Sequence, residues 1–256
     1  MDLPFAGPLD AGAMLGFLAA RAIPGIEAVD GSTYRRAGLA VEVRADRVEL
    51  LEGDPGRARR LLGLDDDPRA ADRALRDDPL IGPLVRMRPG LRVPGTVDGF
   101  ELAVRAVAGQ QVSVAGARTV LARLAAGCGT LPRFPDPAAV LAAPDEAFAM
   151  PAARRETIRA VAAGALAGDL ALDLPVADRA VAEAALLAVP GVGPWTVSYI
   201  ALRAWRDRDA FQPTDLGVRR ALRALGASDR PRDAAALAER WRPWRAHAQV
   251  HLWSVR

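Results

Sequence analysis

The spacing of hydrophobic residues changes near residue 90. Leu39, Val41 and Val43 alternate with other residues, and Val48 and Leu50 resume this alternation after an Asp-Arg pair. A period of two on both sides of a turn predicts a β-hairpin with one buried face. Nearly every apolar segment beyond residue 90 has a helical spacing instead. The chain therefore combines a short segment containing strands with a long helical one.

Helices are predicted on both sides of the hairpin. One covers residues 11–21 and ends before Pro24, and another starts at Pro68, where preceding aspartates suit the first helical turn. The helices predicted beyond residue 90 cover residues 100–108, 113–126, 137–142, 145–150, 152–166, 177–188, 194–205, 216–225, 233–241 and 244–253. We expect an α+β protein, with a mixed α/β N-terminal domain over residues 1–90 and a helical region over residues 91–256.

The basic residues are all arginine, and the 256 residues contain no lysine. The net charge is +3 and the isoelectric point is about 9.9. Arginine stays protonated and forms forked hydrogen bonds to phosphate, so this composition suits contact with nucleic acid. Because the net charge is modest, any surface that binds DNA must be a local patch.

The composition also excludes several kinds of chemistry. Without lysine, no side-chain amine can form a Schiff base. The single cysteine, Cys128, excludes a four-cysteine iron–sulfur cluster, a cysteine-based zinc site and an intramolecular disulfide, which favours the cytoplasm. Residues 13–20 resemble the apolar part of a signal peptide, but Asp2 and Asp10 precede them and no basic residue does. We therefore expect a buried helix there, and a cytoplasmic protein without a membrane partner.

The sharpest local motif is a glycine-rich hairpin within residues 186–196. A predicted helix ends at Ala188, and Pro194 opens the next one at a position where its missing N–H has little effect. Gly191 and Gly193 allow another molecule to approach the backbone closely. Exposed N–H groups at a helix N-terminus bind anions such as a DNA phosphate, without reading sequence. The motif favours contact with nucleic acid, and the alternative is an ordinary glycine-rich turn between two helices.

A second motif, over residues 211–217, carries an acidic side chain. Thr214 or Asp215 is a natural N-cap for a helix that begins near Leu216. In isolation, Asp215 is best explained as such a cap. Its position after the hairpin is what makes a catalytic role worth considering.

These two motifs together resemble the base-excision DNA glycosylase superfamily, whose members carry a helix-hairpin-helix followed by a Gly/Pro-rich loop and an aspartate. Further blocks resemble the bacterial 3-methyladenine DNA glycosylase II family. They cover residues 14–22, 88–95, 109–115 and 238–245. The blocks are spread over most of the chain, so the resemblance extends from its N-terminal helix to Trp253.

The resemblance implies a small antiparallel-sheet domain packed on two helical bundles, with the active-site cleft between the bundles. It implies that Asp215 is the catalytic carboxylate. The base pocket that it implies is lined by Trp195, Tyr199, Trp253 and Phe17. It also implies that the hairpin residues Pro190, Gly191 and Gly193 contact DNA, and that Na⁺ or K⁺ binds the backbone carbonyls of Leu187, Val189 and Val192. Spacing supports one part independently, because Trp195 and Tyr199 are four residues apart and share one helix face.

The function that the resemblance implies is excision of alkylated purines, of the 3-methyladenine and 7-methylguanine class, from duplex DNA. We expect a monomer that requires no cofactor. Superfamily members that also cut the strand place a lysine just after the hairpin, near the position of Trp195 here, so a monofunctional glycosylase is predicted. Two alternatives remain open: a glycosylase for oxidised or deaminated bases, and a non-catalytic helix-hairpin-helix protein that only binds DNA.

One position departs from the family pattern. Related chains often have an apolar residue where this chain has Gln111, to fill the gap that a flipped nucleotide leaves. Glutamine can fill space and hydrogen-bond to the orphaned base, but it is desolvated less favourably than leucine. We expect that Gln111 still inserts, with weaker flipping or an altered preference. His247 and His251, four residues apart, are interpreted as packing residues or phosphate contacts rather than as metal ligands.

Overall fold

The computed structural model describes residues 1–255, and they form an α+β fold. A four-stranded antiparallel sheet, in the order β1-β2-β3-β4, is followed by helices. Its strands are β1 (Glu27–Asp30), β2 (Thr33–Arg36), β3 (Leu39–Val43) and β4 (Val48–Gly53). The predicted β3–β4 hairpin is confirmed, with Val43 opposite Val48. Strands β1 and β2 were not predicted from the pattern, because each has only four residues and no run of alternating apolar side chains.

The first helix, α1 (Ala11–Arg21), packs against this sheet as expected. Its N-cap is Asp10, whose carboxylate accepts a hydrogen bond of 2.8 Å from the Ala13 N–H. Met14 and Leu18 are buried in the same core as the sheet residues. Within residues 1–255, no helix is both long enough and apolar enough to cross a membrane.

The remaining helices follow with short connections. They are α2 (Pro55–Leu62), α3 (Pro68–Leu75), α4 (Gly82–Met87), α5 (Gly99–Ala108), α6 (Val114–Gly127), α7 (Pro137–Ala142), α8 (Ala152–Ala167), α9 (Arg179–Ala188), α10 (Pro194–Arg203), α11 (Leu216–Ala224), α12 (Pro231–Ala238) and α13 (Arg245–Trp253). The helix predicted over residues 145–150 is only a 3₁₀ turn at Asp145–Ala147. Helix α2 was missed although Asp54 caps it and Pro55 starts it, the same signal that Asp67 and Pro68 give for α3.

The helical part contains two separate hydrophobic cores. The first includes buried residues of α5, α6, α8, α9 and α10, such as Leu102, Leu124 and Ile200. The second joins α11, α12 and α13 to Leu75 and Ile81 from the α3–α4 region. Helices α3 and α4 therefore pack with the end of the chain and not with the sheet. The domain boundary at residue 90 stays a prediction.

A buried ionic cluster fixes the sheet against the first helical core. Arg36 pairs with Glu101 of α5 at 2.6 Å, and Arg105 of α5 pairs with Glu27 at 2.6 Å. The Tyr34 hydroxyl donates a hydrogen bond of 2.6 Å to Glu27. Burial and the Glu27 carboxylate raise the pKa of Tyr34. Because each buried charge has a partner, separating the sheet from α5 would leave uncompensated charges. The position of α1, beside the sheet, is thereby fixed relative to α5.

The two histidines of α13 lie inside the protein. His247 is 3% exposed and His251 is fully buried. The His247 ring packs edge-on against Trp244, with 5.7 Å between ring centroids. Burial lowers the pKa of His247 to about 4, so the ring is neutral near pH 7. The packing interpretation is therefore confirmed and the phosphate-contact interpretation is wrong. Within residues 1–255, no group of three or more His, Cys, Asp or Glu side chains could hold a metal ion.

Candidate active site and nucleic-acid interface

The glycine-rich motif forms a tight turn between α9 and α10. The Val192 N–H donates a hydrogen bond of 3.0 Å to the Val189 carbonyl. Gly191 has a φ of +86°, a conformation that side chains rarely adopt. A Cβ at Gly191 would lie 2.1 Å from the Thr157 hydroxyl oxygen on α8. Glycine is thus required here by both backbone conformation and space, and the turn is seated against α8.

The second glycine of the turn has a different role. Gly193 is the N-cap residue of α10, has a φ of −109° and provides no side-chain cap. A Cβ on Gly193 would meet no atom within 4 Å. The protein itself therefore does not require glycine at this position. Its absence of a side chain leaves the N-terminus of α10 open, beside the exposed residues Pro190 and Gly191.

The loop that contains Gln111 is attached to this turn by its neighbour. The Gln110 side-chain amide donates hydrogen bonds to the Gly191 carbonyl at 3.0 Å and to the Thr196 hydroxyl at 3.1 Å. Gln111 itself is exposed and has a φ of +58°. Gln110 could not be selected from the sequence, because two adjacent glutamines are indistinguishable until one is seen to turn inward. The structure thus links the Gln111 loop mechanically to the hairpin.

Asp215 is the N-cap of α11, as the sequence indicated. Its Oδ1 accepts hydrogen bonds from the Val218 N–H at 3.0 Å and from the Trp253 indole N–H at 2.9 Å. Its Oδ2 accepts one from the Trp195 indole N–H at 3.2 Å. A simple cap needs only the backbone donor. The two indole donors show that this carboxylate is also held in a fixed orientation between side chains of α10 and α13.

The four predicted pocket aromatics lie together beside Asp215. Trp195 and Tyr199 stack with 5.2 Å between centroids and an interplanar angle of 11°. Trp253 lies 6.5 Å from Tyr199 and 6.1 Å from Phe17, nearly parallel to the latter at 27°. Phe17 comes from α1, Trp195 and Tyr199 from α10, and Trp253 from α13. Three distant segments thus converge on one carboxylate.

Gly217 makes room for this convergence. A Cβ there would lie 3.0 Å from both Asp215 Oδ1 and Trp253 Cδ1. That is closer than nearly all real contacts of a Cβ, so the Trp253 indole would have to move. Gly217 has no signal of its own in the sequence, since only the packed structure shows what its missing side chain would meet.

Two arginines that the sequence analysis did not select border the aromatic cluster. The guanidinium carbon of Arg21 lies 3.7 Å from the centroid of the Phe17 ring. That of Arg203 lies 4.9 Å from Phe17 and 5.4 Å from Tyr199. These distances are within the range of cation–π interactions. The aromatic cluster is therefore bordered by positive charge.

Arg203 is buried, and its hydrogen bonds join helix α10 to residues 94–95. It donates to the Pro94 carbonyl at 3.0 Å, the Gly95 carbonyl at 2.5 Å and the Tyr199 hydroxyl at 2.8 Å. Burial alone would raise the pKa of Tyr199, but the charges of Arg203 and Arg21 hold it below its usual value. Burial also lowers the pKa of Arg21.

This architecture has close counterparts among solved structures. It superposes on the 3-methyladenine DNA glycosylase of Archaeoglobus fulgidus with a TM-score of 0.83, covering 99% of this chain and 97% of that one at 20% identity. A 3-methyladenine DNA glycosylase of Schizosaccharomyces pombe, solved with abasic DNA, gives a TM-score of 0.61 at 21% identity, covering 72% of this chain and 95% of that one. The fold is thus that of the helix-hairpin-helix DNA glycosylases, as the resemblance implied.

Sequence comparison defines the family. The chain is 36% identical to DNA-3-methyladenine glycosylase 2 of Escherichia coli over 96% of this chain and 94% of that protein. The model of the AlkA N-terminal domain matches residues 1–38 and 37–98. The chain is also 38% identical to a probable bifunctional transcriptional activator/DNA repair enzyme of Mycobacterium tuberculosis, and spans 56% of its length. The chain belongs to the DNA-3-methyladenine glycosylase 2 family.

Proposed function

We propose that this protein is a DNA glycosylase that excises alkylated purines, of the 3-methyladenine and 7-methylguanine class, from duplex DNA. The observation that carries this proposal is the Asp215 carboxylate, which two indole N–H groups hold beside four converging aromatic rings. A protein that only binds the DNA backbone has no use for such an arrangement. Family membership supports the same conclusion.

DNA binding is assigned to the hairpin between α9 and α10. The open N-terminus of α10 presents backbone N–H groups and the positive end of a helix dipole, which together suit a phosphate. Such contacts fix the register of the protein on the duplex without selecting a sequence. Gln111, on the loop that Gln110 attaches to the hairpin, is assigned to the space left by the flipped nucleotide.

The damaged base is assigned to the aromatic cluster. Flipping a base out of the duplex costs roughly a few kcal/mol, and less when the base is damaged. Stacking against Trp253, Tyr199 or Phe17 offsets part of that cost. A flat base between two rings needs about 7 Å, twice a carbon–carbon contact. Phe17 and Trp253 are 6.1 Å apart, so a small outward movement would admit a base between them.

Asp215 supplies the chemistry. When the N-glycosidic bond breaks, its electron pair leaves with the base and positive charge develops on the sugar. An oriented carboxylate stabilises this charge, and water then adds to the sugar and loses a proton. Alkylation makes the purine a better leaving group, so no metal or organic cofactor is required by this scheme.

The decisive experiment measures free-base release from methylated duplex DNA. The wild-type protein should release 3-methyladenine and 7-methylguanine, and Asp215→Asn should release them far more slowly. A panel of duplexes with oxidised or deaminated bases separates the proposed activity from glycosylases of other lesions. If methylated DNA yields no free base while another duplex does, the assigned substrate class is wrong.

We further propose that the enzyme is monofunctional and leaves an intact abasic site. The support is that the 256 residues contain no lysine to form a Schiff base with the sugar. Borohydride added during turnover should therefore trap no side-chain adduct with DNA. A trapped adduct mapped to any side chain would contradict this assignment.

A monovalent cation is proposed at the hairpin, held by the carbonyls of Leu187, Val189 and Val192. The turn fits this assignment, because the Val189 carbonyl accepts one hydrogen bond, from Val192, and keeps a second lone pair. The ion would bridge the hairpin to a phosphate. Replacing K⁺ by an organic cation at the same ionic strength should then weaken DNA binding.

Because the proposed substrate is DNA, we place the activity at chromosomal DNA in the cytoplasm, with the protein acting as a monomer.

A further inference from the structure

We infer that Arg21 and Arg203 set the charge preference of the base pocket. By lying against Phe17 and Tyr199, they reduce the advantage that an aromatic pocket gives to a cationic base over a neutral one. The inference rests on the proposed glycosylase function and names the residues that determine specificity within it.

The two guanidinium groups already occupy aromatic surface of the pocket. Arg21 lies 3.7 Å from the Phe17 centroid, which is close contact with a ring face. Arg203 lies near both Phe17 and Tyr199. An aromatic ring attracts cations through the negative charge on its faces. A cationic base on the same rings should therefore be attracted less strongly than it would be by rings without neighbouring guanidinium groups.

Little within the protein neutralises these charges at the pocket. Across the described residues 1–255, the acceptors that bind Arg203 are the carbonyls of Pro94 and Gly95 and the Tyr199 hydroxyl, which carry no formal charge. Arg21 hydrogen-bonds weakly to the Phe17 carbonyl at 3.4 Å, and it also interacts with the Tyr199 hydroxyl, whose pKa the two arginines hold below its usual value. The hydrogen bonds of both guanidinium groups thus go to carbonyl and hydroxyl oxygens and not to a carboxylate.

The two positive guanidinium groups disfavour the binding of a cationic base. Like charges repel, and burial leaves little water to screen that repulsion. A neutral damaged base does not experience it and still gains by stacking on the rings. The preference of the pocket for a cationic base over a neutral one is therefore expected to be smaller than the rings alone would give.

The test compares two lesions in one duplex sequence, 7-methylguanine as the cationic base and hypoxanthine as the neutral one. Single-turnover excision rates are measured for wild type and Arg21→Met, in which an unbranched apolar side chain replaces the charged one. The ratio of the cationic to the neutral rate should rise about tenfold. Effects on folding, on DNA affinity or on Asp215 act on both lesions and cancel in this ratio.

Three matched variants show whether charge is the cause. Arg21→Lys keeps the positive charge and should leave the ratio close to that of wild type. Arg203→Met should raise the ratio as Arg21→Met does. Arg35→Met removes an exposed arginine from β2, away from the pocket, and should change neither rate nor ratio.

The outcomes separate the inference from the function on which it rests. A folded Arg21→Met protein with an unchanged ratio would overturn the inference while leaving the glycosylase function intact. An equal rise for Arg21→Lys would also overturn it, because packing and not charge would then be responsible. Failure of the wild type to release either base would overturn the function and the inference together.

Discussion

The N-termini of α10 and α11 differ in how they are capped. Helix α10 begins at Gly193, which has no side chain to cap it. Helix α11 begins at Asp215, whose carboxylate accepts the N–H of Val218. One terminus is left open to solvent, and the other is filled by the protein itself.

The comparison shows how one physical property serves two purposes. Both termini present N–H groups and the positive end of a helix, which favour an anion. At α10 the anion is proposed to be a DNA phosphate. At α11 it is a carboxylate that the protein keeps, and the indoles of Trp195 and Trp253 turn it towards the pocket. Binding and chemistry are thus expected to respond separately to changes at the two termini.

The largest effect is expected for Asp215→Asn. Asparagine caps a helix as well as aspartate does, but its amide nitrogen cannot accept the Trp195 N–H as Oδ2 does, so the free energy of unfolding should fall by about 1–2 kcal/mol. Loss of the charge should lower single-turnover base release by about 100- to 1000-fold. Thermal melting and base release measured together distinguish the two functions of the residue. Asp215→Ala, which loses the cap and both indole hydrogen bonds, should be less stable than Asp215→Asn by about a further 1 kcal/mol. Near-normal excision by Asp215→Asn would show that the carboxylate is not catalytic.

The next effect is expected for Gly193→Ala. Its Cβ meets no atom within 4 Å and its φ is −109°, so the protein should fold normally. A phosphate could no longer approach the N–H groups as closely, and losing one hydrogen bond to a charged group costs about 1.5–3 kcal/mol. Affinity for undamaged duplex should fall about 10- to 100-fold, as fluorescence anisotropy can measure.

A matched control for Gly193→Ala is Gly16→Ala on α1, where a Cβ also has open space. This control should leave DNA affinity unchanged. Equal affinities for wild type and Gly193→Ala would show that no phosphate approaches this terminus.

A smaller effect is expected for Gln110→Ala. The variant loses hydrogen bonds to Gly191 and Thr196, each worth about 1 kcal/mol. The Gln111 loop would then move independently of the hairpin, and excision should slow by about tenfold with little change in binding to undamaged DNA. Thr196→Val tests the link, because its effect and that of Gln110→Ala should not add. Fully additive effects would show that the Gln110–Thr196 hydrogen bond does not couple the Gln111 loop to the hairpin.

The sequence predicted the parts of this site that depend on local chemistry. Asp215 as a cap, the turn at Gly191 and the shared face of Trp195 and Tyr199 all follow from residues close together in the chain. That four aromatics meet at Asp215 was implied by family resemblance and could not be obtained from periodicity, since Phe17 and Trp253 come from opposite ends of the described chain.

Residues that act through distant contacts escaped the sequence analysis. Arg21 and Arg203 are two of many arginines, and only their positions over Phe17 and Tyr199 distinguish them. Gln110 and Gly217 were missed for the same reason. His247 and His251 show the opposite case. A phosphate contact was considered for them because their helical spacing does not reveal that both are buried.

The ionic cluster between the sheet and α5 has a consequence for the order of assembly during synthesis. Phe17 is presented by α1, next to a sheet that Arg36 and Arg105 fix to α5, whereas Trp253 emerges from the ribosome long afterwards. The hairpin at residues 186–196 precedes α13 in the chain, so on the proposed function a chain that lacks α13 would already carry the surface assigned to DNA. Base removal, on the same proposal, must wait for Trp253, whose indole orients Asp215. Excision is in this way restricted to chains that have folded through α13.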